Sequence, residues 1–90
     1  MTPEAVKWVE DTCKLLADDA SRIIITYQDY ENDRLVITVT AHGDEMGRVI
    51  GRYGDTIKSL RTIAYCLGMK TSKKKTSILV DGMGDFIACD

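Results

Sequence analysis

Two glycines separated by two residues stand in the middle of the run Val49-Ile50-Gly51-Arg52-Tyr53-Gly54-Asp55-Thr56-Ile57. Glycine lacks a Cβ and adopts backbone conformations closed to other residues, so this spacing makes a short turn that a phosphate can approach closely. Arg52 places a cation inside the turn, and a guanidinium pairs well with phosphate oxygens. Ile50 and Ile57, on either side, would floor a groove beside the turn. A phosphate clamp next to an apolar shelf suits a single-stranded nucleic acid, which offers charged backbone and unstacked bases.

Other chemistries lack their parts. No Gly-Lys-Ser/Thr follows the 51–54 turn, so it is not a nucleotide-binding P-loop. Gly82 and Gly84 follow a predicted strand, but Ile87 occupies the place of a third glycine and no room remains for a helix. No Ser/His/Asp or Cys/His arrangement is evident, so no catalytic residue is expected. Cys13, Cys66 and Cys89 are widely spaced and odd in number, with only His42 to assist them. That spacing fits neither a disulfide framework nor a zinc site, so neither a metal nor another cofactor is expected. Cys13 and Cys66 are expected to pack as small apolar residues.

The formal net charge is −2 over 90 residues, but it is unevenly spread. Residues 1–45 carry four basic and ten acidic groups, and residues 46–81 carry eight basic and two acidic ones. The basic half coincides with the glycine turn, as a footprint for a polyanion should. Arg48, Lys58 and Arg61 join Arg52 as candidate contacts, although Arg48 and Arg61 could instead pair with the acidic first helix. Lys73, Lys74 and Lys75 read as a solvated loop. The start lacks the basic end and apolar stretch of a signal peptide, and no apolar run is long enough to span a bilayer. A cytoplasmic location, no membrane partner and no small-molecule substrate are therefore expected.

The elements that would hold the turn follow from periodicity. Ala5, Trp8, Val9, Cys13, Leu16 and Ala20 recur at helical steps, which predicts a helix over residues 3–20 capped by Thr2, with Pro3 at its first position. Strands are expected over 22–28 and 34–40, joined by a turn over 29–33. Leu35, Ile37 and Val39 share one face of the second strand. Asp44 would cap a short helix ending at Ile50. Asp55 would cap a longer one whose inner face is Ile57, Leu60, Ala64 and Leu67, with Gly68 as its stop. A strand over 76–81 follows, with Ile78 and Val80 inward. The order α-β-β-α-α-β predicts an α+β domain over residues 1–81, a three-stranded sheet with helices packed on one face, and a short tail over 82–90.

The 49–57 run matches, position for position, the Val-Ile-Gly-x-x-Gly-x-x-Ile pattern of KH domains, and the element order resembles their bacterial, type II arrangement. The stretch from Glu45 to Gly54, followed by Lys58-Ser59-Leu60-Arg61-Thr62, is similar to the small bacterial single-KH proteins of the KhpA type. This resemblance implies single-stranded RNA binding, in the role of an RNA chaperone or post-transcriptional regulator. Gly51 and Gly54 would shape the clamp, and Arg52 and Tyr53 would meet the phosphates. Ile50 and Ile57 would lie under about four nucleotides. It also implies a homodimer or a larger KH-containing partner. The alternative is a protein-interaction module of the same fold with weak or no RNA contact. Two positions depart from the pattern. Tyr53 stands where a polar or basic residue is more usual, and either stacks on a base or folds over the groove. Asp55 sets a carboxylate beside the clamp.

Overall fold

In the computed structural model the described residues are 2–43, 45–82 and 85–86. The expected Asp44 cap, Cys89 and much of the 82–90 tail lie outside them. The elements are α1 (Glu4–Leu16), β1 (Ile23–Tyr30), β2 (Arg34–Ala41), α2 (Glu45–Ile50), α3 (Asp55–Thr71), β3 (Lys75–Gly82) and β4 (Asp85–Phe86). The predicted α+β order is present, with β4 as a two-residue addition at the edge of three long strands.

The sheet runs β1-β2-β3-β4. β1 and β2 form an antiparallel hairpin in the register Ile23↔Ala41 to Tyr30↔Arg34. β2 and β3 are parallel, from Arg34↔Lys75 to Ala41↔Gly82. Two strands can run parallel only if the chain crosses back between them, and α2 and α3 make that crossover. Alternation does the rest. Leu35, Ile37, Val39 and Ala41 of β2 and Ile78 and Val80 of β3 point to one face and are buried. Against them lie Ala5, Val6, Val9 and Cys13 of α1 and Ile57, Leu60 and Ala64 of α3. Trp8 is half-buried and packs on the same cluster.

Several boundaries differ from expectation for local reasons. The hairpin loop is three residues long, 31–33, because Asp29 and Tyr30 remain paired with Leu35 and Arg34. Asp33 closes it at a φ of 71°, the left-handed third position such loops use. The Arg34 guanidinium sits 5.5 Å from the Tyr30 ring centre, a cation–π contact across the closing pair. α1 begins with Pro3, not Thr2, at its cap and receives no side-chain cap bond.

α1 also ends at Leu16, and Ala17 is already extended. A competing set of bonds explains the early stop. The buried Glu45 carboxylate, 3% exposed, accepts the N–H of Asp18 at 3.0 Å and of Asp19 at 2.8 Å. Asp19 in turn accepts the N–H of Ser21 at 3.0 Å and its hydroxyl at 2.6 Å, which starts a 3-10 turn over Ala20–Arg22. Leu16 and Ala20, expected on the inner face, are exposed as a result.

Gly68 does not stop α3, which continues to Thr71. It is buried within the helix, where a Cβ would lie 1.7 Å from Thr76 Oγ1 and 2.7 Å from Thr76 Cβ. Its carbonyl accepts the N–H groups of Ser72 and Lys74 as the chain turns into β3. The glycine lets α3 pack directly against Thr76 near the start of β3.

Candidate nucleic-acid interface

The chain passes from α2 to α3 through a turn of unusual backbone. Gly51 has φ 77°, Tyr53 55° and Gly54 77°. At Gly51 two constraints coincide. A Cβ there would meet Thr56 Oγ1 at 2.1 Å and the Thr56 backbone N at 2.9 Å. At Gly54 the nearest atoms to such a Cβ, on Ile57 and Lys58, are 3.9 Å away, so only the backbone angle favours glycine. Tyr53 holds a left-handed conformation with a full side chain, at a cost of about 1 kcal/mol. Its ring is 88% exposed and does not fold back over the domain.

The turn is held by its own backbone. Gly51 N–H bonds to Gly47 O at 2.8 Å, Gly54 N–H to Gly51 O at 3.2 Å, and Asp55 N–H to Arg52 O. Among the described residues no backbone acceptor is found for the N–H groups of Arg52 and Tyr53. The N–H groups of the two glycines, by contrast, are both taken. Gly54, not Asp55, is the N-cap of α3, and no side-chain cap bond is made; Asp55 is instead the acidic residue of the first turn.

The candidate contact residues separate into two groups. Arg52 and Lys58 are exposed and take part in no ion pair among the described residues. Arg48 is occupied: its guanidinium pairs with Asp18 and lies 3.5 Å from Glu45 Oε1. It therefore fastens α2 to the end of α1. Arg61 is half-buried and donates from Nε to Ile78 O at 3.2 Å, which ties α3 to β3. Lys74 is likewise paired, with Asp29, while Lys73 and Lys75 are exposed.

The isoleucines that flank the turn do not form an exposed shelf. Ile57 is fully buried in the core, and Ile50 is half-buried against it. Two shallow, open depressions lie on α3. Lys58, Ser59, Thr62 and Ile63 line a cleft of about 330 Å³ one turn beyond the glycines. Thr62 also borders a second cleft of about 420 Å³, between α3 and β3, with Arg61, Tyr65, Cys66, Ser77 and Ile78. Ile63 and Tyr65 had carried a signal: they are large apolar residues outside the inner stripe of α3, and both are exposed. Cys66, expected to be packed, is exposed on the second of these depressions. Cys13 is buried, and burial pushes its thiol up to about 11.

The comparison with protein families decides what this frame is. Residues 6–80 match the model described as KhpA/KhpB, KH domain. The chain belongs to the KhpA/KhpB KH-domain family. It is 34% identical over 61 residues to a protein of Listeria monocytogenes named RNA-binding protein KhpA, covering 68% of this chain and 79% of that one. It is 30% identical over 73 residues to the protein of that name in Halalkalibacterium halodurans, covering 81% and 95%. The Aquifex aeolicus protein of the same name is 35% identical over 66 residues, 73% of this chain and 82% of its own. These relatives are bacterial, and their names state RNA binding and no reaction. No solved structure matches the KhpA/KhpB-type chain at the same level of significance.

Among the described residues no helix is long and apolar enough to cross a membrane. Nor does any group of three or more His, Cys, Asp or Glu side chains come together as a metal site there.

Proposed function

We propose that this KH domain is of the type II arrangement, which its element order resembles, and that it binds single-stranded RNA at the 51–54 turn and along the surface between α3 and β3. The observation that carries this reading is local. Two backbone N–H groups without a backbone acceptor and the unpaired Arg52 lie in the 51–54 turn, and the unpaired Lys58, one helical turn on, borders the first opening on α3. Phosphates would be held by those N–H groups and cations, and unstacked bases would lie over Ile63, Thr62 and Tyr65. The relatives' shared name supports the same ligand. In this reading Gly51 and Gly54 shape the clamp, while Ile50 and Ile57 support it from below. Arg48 and Arg61 brace the elements around it. The cellular role would be that of an RNA chaperone or post-transcriptional regulator, in the cytoplasm.

A second reading is favoured by the open face of the sheet, where Ile24 and Leu79 are each 48% exposed. It makes the domain a pairing module for a second copy or a larger KH-containing partner, with RNA contact secondary. Amide chemical-shift mapping separates the two. On adding a short single-stranded RNA, the amides of residues 51–58, 61–66 and 76–78 should move and those of Ile24 and Thr26 should not. Shifts confined to the sheet face, or none at all, would contradict RNA binding at the turn.

A further inference from the structure

Tyr53 is the most exposed large aromatic side chain among the described residues, and it is held at the tip of the turn in a backbone conformation that resists it. A side chain that is 88% exposed gains little from burying its own ring in the free protein. Strain kept at an exposed position is characteristic of a group that acts on a ligand. Its neighbours define which ligand. Arg52 and the two N–H groups of the same turn that lack a backbone acceptor are donors suited to phosphate, and an aromatic ring next to a phosphate clamp meets the base of the same or the adjoining nucleotide. The alternative left by the sequence, a ring folded over the groove, is excluded by its exposure.

We infer that Tyr53 is a specificity residue that stacks on an unstacked nucleobase of the bound strand. This rests on the proposed RNA reading and adds to it a base contact at the clamp itself, separate from the depressions on α3. The ring responds to the face of a base, so it discriminates a strand with bases from a bare sugar-phosphate chain, and single strand from duplex. It contributes without neutralising charge, so its share of the affinity is independent of salt.

The test compares two oligoribonucleotides of equal length and charge, one carrying bases and one abasic throughout, by fluorescence anisotropy. The proteins are the wild type, Tyr53→Phe and Tyr53→Asn. Asparagine accepts the left-handed backbone, so the turn keeps its shape. Circular dichroism and the thermal midpoint check that each variant is folded. Tyr53→Asn is expected to lose about tenfold in affinity for the base-bearing strand and to bind the abasic one as the wild type does. Tyr53→Phe should stay within about threefold on both. If Tyr53→Asn matches the wild type on both strands, or loses equally on both, the stacking assignment falls while RNA binding stands. If the wild type binds neither strand, the RNA reading falls with it.

Discussion

Gly51 and Gly54 look interchangeable as letters, yet their surroundings differ. Gly51→Ala places a methyl group into Thr56 as well as into a strained backbone, so we expect a loss of more than about 2 kcal/mol in urea unfolding. Gly54→Asn meets open space and keeps an allowed left-handed residue, so it should cost less than about 1 kcal/mol. Equal losses would contradict the packing of Thr56 on Gly51. The two described cysteines differ in the same way. Cys66 should react with iodoacetamide in the native protein while Cys13 does not. Burial raises the Cys13 thiol from 9.0 to about 11, so between those values the unfolded chain loses a proton that the folded chain keeps. Stability is therefore fully present below pH 9 and falls by about 2 kcal/mol as pH rises to 11. The fall should shrink in Cys13→Ala, and an unchanged slope would contradict the assignment. At Asp19 the sign is opposite. The Ser21 hydroxyl and N–H bonds hold its carboxyl below the usual carboxylate range, so its contribution is lost as pH drops through that lowered value.

At the scale of elements, the crossing of α3 over β3 and the end of α1 are set by side chains distant in sequence. Gly68→Ala should destabilise the domain by about 2 kcal/mol or more, because its methyl group has no room beside Thr76. Gly47→Ala, also helical but facing open space, should be stabilising by about 0.5–1 kcal/mol. Chemical denaturation of both variants checks the pair, and a reversed order would overturn the account of that crossing. These glycines show which elements the chain declares. The Val49 to Ile57 run and the strict alternation of β2 are local patterns, so the glycine turn, the hairpin and the helix order could be read from spacing alone. Gly68 reads as a stop for the same local reason, since nothing near it in sequence reports Thr76. The end of α1 was hidden likewise, because Glu45 competes for the N–H groups of Asp18 and Asp19 from 26 and 27 residues away. The depressions on α3 were half declared. Ile63 and Tyr65 stand off the inner stripe of α3, but only the placement of β3 turns the Tyr65 side into a cleft, while Ile63 borders an opening lined by α3 alone.

For the whole molecule, the division between an acidic first half and a basic second half becomes a division of labour among the cations. Arg48 and Lys74 are spent on Asp18 and Asp29, and Arg61 reaches the Ile78 carbonyl. Arg52 remains in the turn, and Lys58 beside the first opening on α3. A net charge of −2 is thus compatible with a local site for a polyanion. The measurement that tests this most directly is a titration of single-stranded RNA over a range of salt concentrations, with the wild type and an Arg52→Glu, Lys58→Glu variant that has been shown to fold. The wild type should weaken steeply as salt rises. The variant should lose most of its affinity, and its plot of log K against log salt should be shallower by about 1.4, as two phosphate contacts on a single strand require. Equal affinity and equal slope for the two proteins would show that the turn is not the clamp.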